Sequence, residues 1–287
     1  MAIEPKLFMV EKDGAVVIWK FYNPPGNLWN VESRIEFVEL AEDFYADPDL
    51  RVGIFTSAVP DVFIQHYDVS LLVKRGEELL SAPQAPPPPR PAPRGISRRG
   101  PKPVIAAINA TLSGGGLELA MTCDFRFMAR GASASQGEIN VGILPGGGGT
   151  QRMPRLTGMP RSMELMLTGR RIYPDEAERI GLITRACDPA ELMPLVMAFA
   201  RDLAAKPPKA VEYIRRCVYE GWDLPLAQGL QLERQLFMEL LKTPEALQRM
   251  RDYVATGQDL KKAEDLAKKW QQPPEPQPKK VSRRKVK

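Results

Sequence analysis

The sequence predicts an α/β fold. Three observations carry that prediction: apolar runs of strand length at residues 15–21, 52–56 and 104–108, helical periodicity between them, and a glycine turn, Ser113-Gly114-Gly115-Gly116, that ends the last run and opens a helix. The first run, AVVIWKF, and the second, VGIFT, are short and almost uniformly apolar, which suits strands buried on both faces. Between them, residues 31–46 set Phe37, Leu40, Ala41 and Phe44 on one helical stripe. A second helical stretch is expected near 68–80, and the segment LELAMTC continues the glycine turn as a third helix. Beyond about residue 190 only helical patterns remain. Met193, Val196, Met197, Ala200 and Leu203 keep 3.6-residue spacing, as do Val211, Ile214 and Val218, then Leu226, Leu230, Phe237 and Leu241. Such stripes read as packing surfaces, within the chain or between copies of it.

Two segments stand apart. Residues 81–103 contain nine prolines, which remove backbone donors and fix φ, so neither helix nor central strand is expected there. Residues 271–287 are too polar and proline-rich to bury a core and are expected to be disordered. The tail holds six basic residues against one acid, so the net charge of +5 resides there and 34 residues of each sign remain elsewhere. It contains no aromatic residue to stack on bases, which argues against nucleic-acid readout. No stretch reaches the roughly 18 apolar residues of a membrane span. The first residues, MAIEPKLFMVEKDG, lack the apolar core of a secretory signal, so a cytoplasmic location is expected. Cys123, Cys187 and Cys217 match neither a metal-ligand spacing nor a disulfide framework and read as buried apolar residues.

Familiar catalytic signatures are absent: there is no G-x-S-x-G, no H-E-x-x-H and no GxxxxGK[ST]. The single histidine, His66, reads by itself as a hydrogen-bonding residue. What remains lies between residues 104 and 155. The Gly114-Gly115-Gly116 turn puts unpaired N–H groups at the positive end of a helix, where an oxyanion can sit. Glu118 lies in that helix's first turn; alone it would read as a dipole-stabilising acid. A second acid, Glu138, follows in the polar turn Gln136-Gly137-Glu138. Two carboxylates beside an oxyanion turn can divide proton transfers between them. No metal ligands are read.

These residues carry a resemblance. The run Gly114-Gly115-Gly116-x-Glu118-Leu-Ala-Met-x-Cys123-Asp124, then Gln136-Gly137-Glu138-Ile139, then Gly142-Ile-x-Pro145-Gly-x-Gly-Gly-Thr-Gln-Arg152, with Leu167-Thr168-Gly169 and Glu176-Ala177 downstream, resembles the enoyl-CoA hydratase/isomerase (crotonase) family. The match is dense over about 104–185 and weak in the C-terminal helices. The resemblance implies a spiral of repeated ββα units with a C-terminal helical oligomerisation region, a homo-trimer or dimer of trimers, and an acyl-CoA thioester as substrate with no further cofactor. It implies that the thioester oxygen sits between the N–H groups of Gly115 and Tyr67. Glu138 would then handle the C2 proton and Glu118 the attacking water. Where the family usually carries A-G-A-D, this chain has Gln65-His66-Tyr67-Asp68, so larger side chains border the acyl pocket. His66 and Gly147 are assigned to that pocket.

The chain is accordingly divided into a catalytic core (1–190, carrying the insert 81–103), a helical region (191–270) and the basic tail (271–287). The expected activity is hydration of the 2,3 double bond of an acyl-CoA. The alternatives are isomerase or hydratase-lyase chemistry of the same family, polyanion binding through the tail, and a scaffold that recruits a proline-recognising partner. Arg94, Arg98, Arg99 and Lys102 are available to pair with coenzyme A phosphates, without a motif that selects among them.

Overall fold

The computed structural model describes residues 6–81 and 100–270; most of the proline-rich insert and the whole basic tail lie outside the described residues. The chain opens with β1 (Phe8–Asp13) and β2 (Val16–Phe21), an antiparallel pair, followed by α1 (Val31–Ala46). Three repeats come next. In each, the chain contributes one strand to a large sheet, crosses to a small sheet, and turns into helix. The first repeat is β3 (Val52–Ser57), β4 (Val62–Ile64) and α2 (Val69–Ser81). The second is β5 (Val104–Ile108), β6 (Thr111–Ser113) and α3 (Gly115–Ala120). The third is β7 (Phe125–Ala129), β8 (Ala134–Ser135) and a 3-10 turn (Glu138–Val141) leading to α4 (Gly149–Thr157) and α5 (Met159–Thr168). After α6 (Pro174–Arg179), β9 (Arg185–Cys187) completes a six-stranded sheet of order β1-β2-β3-β5-β7-β9, while β4, β6 and β8 form a parallel three-stranded sheet. This is the spiral of ββα units.

Alternation along the strands makes two cores. On one face of the large sheet, Trp19, Phe21 and Phe55 meet Phe37 and Phe44 of α1 and the small sheet's Phe63, Ile64 and Leu112. Phe37 lies 4.9 Å from Phe55, ring centre to ring centre, and its burial makes Phe37→Ala worth about 3–5 kcal/mol. On the opposite face, Ile18, Val52, Ile54, Ile105 and Phe127 pack against Leu192, Val196 and Ala200 of α7 (Leu192–Ala204). α1 begins where the sequence places it because Asn30 and Ser33 form a reciprocal cap: Ser33 N donates to Asn30 Oδ1 (2.8 Å), and Asn30 N donates to Ser33 Oγ (2.9 Å).

The remaining helices are α8 (Pro208–Gly221), α9 (Leu226–Leu240), α10 (Pro244–Ala255) and α11 (Leu260–Trp270). Their apolar stripes face outward: Ile214 and Val218 of α8 and Leu226, Leu230 and Phe237 of α9 are exposed, while α8 buries Tyr213 and Arg215. Arg215 pins α8 to the core. Its Nε donates to Asp124 Oδ1 at 2.9 Å with both side chains buried; the same oxygen accepts from Tyr219 (2.8 Å), and Oδ2 accepts from Val104 N (2.8 Å). Of the cysteines, Cys123 and Cys187 are buried and Cys217 is half-buried, all three as free thiols. Among the described residues no helix is long and apolar enough to cross a membrane.

Candidate active site

Each glycine of the turn has a separate steric reason. Gly114 takes φ +49°, ψ −121°, a conformation available essentially to glycine, while its N–H donates to Ser135 O (2.9 Å) and continues the small sheet. A Cβ on Gly115 would lie 3.1 Å from Tyr67 Cβ and 3.2 Å from Tyr67 N, and one on Gly116 would press to 2.6 Å from Ile64 O. The backbone of α3 thus starts directly against the segment that carries Tyr67. Gly115 is the first helical residue, so its N–H has no carbonyl within the helix to bond.

The second N–H is aimed by Trp29. Trp29 N donates to His66 O (2.9 Å) and Asp68 N donates to Trp29 O (2.8 Å), a parallel bridge with Tyr67 at its centre. In an extended chain alternate residues direct their amides to opposite sides. Tyr67 therefore turns its own N–H and C=O away from Trp29, toward Gly115. The carbonyl accepts from His66 Nδ1 at 2.7 Å, which requires that nitrogen to carry the hydrogen because a carbonyl can only accept. The Tyr67 nitrogen lies close to Gly115, where an added Cβ would stand 3.2 Å from it.

The carboxylates sit in unlike surroundings. Glu118 is buried, and its Oε1 accepts from Gly147 N (2.8 Å) and Gly149 N (2.7 Å). A Cβ on Gly147 would overlap the Glu118 carboxylate, which explains glycine there. Burial raises the Glu118 pKa, opposed by those two N–H groups and by the nearby charge of Arg152, which itself donates to Gly147 O (2.8 Å). Glu138 opens the 3-10 turn, and its Oε2 is buried with no hydrogen-bond partner among the described residues. Burial, with the Glu118 charge adding to it, lifts Glu138 to about 7. At neutral pH a proton on Glu138 is readily available, whereas Glu118 has two donors favouring its charge.

Gly115, Tyr67, Glu118, Glu138, His66 and Gly147 all line one cavity of about 1390 Å³. Sequence reading did not find Trp29, whose role depends on a pairing remote in the chain. It also passed over Gln136, which is 1% exposed, has no hydrogen-bond partner for either amide atom among the described residues, and stands beside Gly149; its place in the Gln-Gly-Glu turn was the available signal. Lys102 is not in the cavity wall. Its ammonium donates to Phe44 O (2.7 Å) and Asp47 O (2.5 Å) at the end of α1, where the helix dipole favours a cation. Arg94, Arg98 and Arg99 lie outside the described residues.

Comparisons with known proteins give the family and the fold. Residues 11–263 match the sequence profile of the enoyl-CoA hydratase/isomerase family. A crotonyl-CoA hydratase of Syntrophomonas wolfei is 32% identical over 240 residues, spanning 80% of this chain and 87% of its own length. A short-chain-enoyl-CoA hydratase of Clostridium acetobutylicum is 37% identical over 153 residues, 53% of this chain and 59% of its own. With three of the curated relatives the match spans only 55 to 60% of their length. Among solved structures, an enoyl-CoA hydratase of Bacillus anthracis superposes with a TM-score of 0.77 at 28% identity, covering 88% of this chain and 97% of that one. DspI of Pseudomonas aeruginosa superposes with a TM-score of 0.80 at 26% identity, covering 89% and 96%.

Proposed function

We propose that this chain, which belongs to the enoyl-CoA hydratase/isomerase family, adds water across the 2,3 double bond of an acyl-CoA thioester. The observation that carries the reading is the pairing of two differently held carboxylates in one cavity that Gly115 and Tyr67, close neighbours, also line. The thioester oxygen accepts from Gly115 N–H and Tyr67 N–H. Water attacks C3 as its proton passes to Glu118, and the π electrons move toward C2 and the carbonyl, whose growing negative charge the two N–H groups stabilise. Glu138 delivers its proton to C2, giving the 3-hydroxyacyl thioester. Both proton transfers are carried by carboxylates, so the scheme calls on no metal and no redox cofactor. His66 and Gly147 shape the acyl side, and the exposed stripes of α8 and α9 support assembly into a trimer or dimer of trimers.

Isomerase chemistry is the second reading, supported by the Oε2 of Glu138: an unpartnered carboxyl oxygen on a group near neutrality suits a proton shuttle between carbons. Loss of the conjugated enoyl thioester absorbance of crotonyl-CoA measures hydration. Glu118→Gln and Glu138→Gln should each slow it by about 10²–10⁴ with the fold intact. Solvent deuterium at C2 separates the readings, because Glu118→Gln should spare isomerisation while Glu138→Gln abolishes both. Near-normal hydration by Glu138→Gln would sink the assignment.

A further inference from the structure

Two hydrogen-bonding groups in the cavity wall take no part in the scheme above. The first is the outer nitrogen of His66. Its Nδ1 carries the hydrogen that Tyr67 O accepts at 2.7 Å, so in the uncharged ring Nε2 is an acceptor, and no group among the described residues donates to it. The second is a hydroxyl hydrogen. Ser113 Oγ lies 2.9 Å from Ser135 Oγ, and two hydroxyls joined by one bond keep one hydrogen over. Were Ser113 the donor, the remaining hydrogen would belong to Ser135, which is buried and has no acceptor for it among the described residues. Donation from Ser135 to Ser113 avoids that cost and turns the Ser113 hydrogen to the cavity, whose wall Ser113 forms.

Both groups stand beside Glu138. A Cβ on Gly114 would lie 3.7 Å from His66 Cβ and 3.0 Å from Glu138 Oε1, and one on Gly137 would lie 3.6 Å from Ser113 Oγ. His66 comes one residue before Tyr67 and Ser113 two before Gly115, so an acyl group whose thioester oxygen rests on that pair passes both within its first few carbons. A plain hydrocarbon there displaces water from an acceptor and a donor and pairs neither. A hydroxyl pairs both, because it donates to one and accepts from the other.

The geometry points to acyl-CoA thioesters hydroxylated close to the reacting double bond, at C4 or C5, as the substrate class, with the hydroxyl held between His66 Nε2 and Ser113 Oγ. This rests on the hydratase reading above and specifies the substrate of the same site. His66 and Ser113 touch the substituent and set specificity. A hydroxylated substrate should be preferred over its unsubstituted counterpart by at least about tenfold.

The test uses length-matched pairs on the full-length protein. The first measurement is kcat/KM for 4-hydroxycrotonyl-CoA against crotonyl-CoA and for 5-hydroxy-2-pentenoyl-CoA against 2-pentenoyl-CoA; at least one pair should show the preference. The second is affinity for the saturated counterparts of the same four thioesters, which needs no chemistry. His66→Phe keeps a flat ring and removes Nε2, while Ser113→Ala removes the hydroxyl and leaves the Tyr67 carbonyl bonded as it was. Each should bring the preferred ratio to within about twofold of one. Wild-type ratios near one, or either variant lowering both members of a pair alike, would overturn the recognition. Tighter binding of a hydroxylated saturated thioester, lost in both variants, in a protein that hydrates no enoyl-CoA would uphold it and overturn the hydratase reading. Hydration of crotonyl-CoA with all ratios near one would do the reverse.

Discussion

Replacing Glu138 by Gln should disable the protein and stabilise it at the same time. The carboxyl has a pKa of about 7 in the folded chain against 4.5 ordinarily, because burial disfavours its charge and Glu118 adds repulsion. Between those two values the folded state binds more protons than the unfolded state, so stability falls as pH rises across the window and levels off above about 7. A full shift of that size corresponds to roughly 3 kcal/mol at 1.36 kcal/mol per pH unit. Glu138 is only half-buried, and solvent screening on its open side reduces the expected effect to about 1–2 kcal/mol. Glutamine keeps the shape and removes the ionisation. Urea midpoints of the two proteins, measured at one protein concentration from pH 4 to pH 8.5, should coincide below about pH 4.5 and diverge in favour of Glu138→Gln up to about pH 7. The wild-type rate should show its alkaline limb in the same range, since the proton destined for C2 is lost there. If the stability difference stays flat with pH, Glu138 is not a desolvated carboxyl and the division of roles fails.

Three further outcomes follow from the geometry. Gly115→Pro removes the proposed oxyanion N–H at the first helical position, and its added Cβ, 3.1–3.2 Å from Tyr67, presses on the second donor too, so kcat for crotonyl-CoA should fall by at least about 10²–10³; a folded variant that loses only affinity for butyryl-CoA would misplace the oxyanion site. Gly147→Ala drives a methyl into the Glu118 carboxylate; initial rates should fall by at least about 10² while circular dichroism and melting remain close to wild type, and undiminished hydration would show that Glu118 does not depend on that contact. Arg215→Met strands the buried Asp124 charge and should cost about 3–5 kcal/mol in denaturant unfolding, with α8 released from the core; a loss below about 1 kcal/mol would show the pair to be energetically idle.

Much of the fold was legible where one short stretch of chain determines its own environment. α1 runs over 31–46 as read, because the Asn30 cap and the Phe37, Leu40, Ala41, Phe44 stripe are both local. β2, β3 and β5 were legible because burial on both faces leaves continuous apolar runs. β1 was not, since it is an edge strand that buries only Phe8, leaves Met9 and Val10 exposed and ends in the charged Glu11-Lys12-Asp13. The strands of the small sheet, two or three residues each, are shorter than any period that could reveal them. In α8 and α9 the periodicity correctly marked apolar faces, but periodicity cannot say whether the covering surface belongs to the same chain. Within the described residues those faces are open.

The site was legible as a set of residue types and illegible as a set of proton states. Glu118 and Glu138 look alike in sequence, each an acid close to a glycine turn. What separates them is backbone: Gly147 and Gly149 send two N–H groups to Glu118, while nothing among the described residues reaches Glu138 Oε2. The first arrangement exists because glycine at 147 admits the carboxylate; a side chain would exclude it. Main-chain bonds alone from Trp29 hold the Tyr67 segment, so a histidine and a tyrosine can stand there without displacing the N–H that the proposed oxyanion site uses. In the proposed scheme backbone donors hold the chemistry fixed while side chains on the acyl side are free to vary. It follows that a double variant, Glu118→Gln with Glu138→Gln, should be little slower than the worse single variant, because the two carboxylates act as a unit on one added water. Losses that multiplied would mean that the two groups act independently of each other.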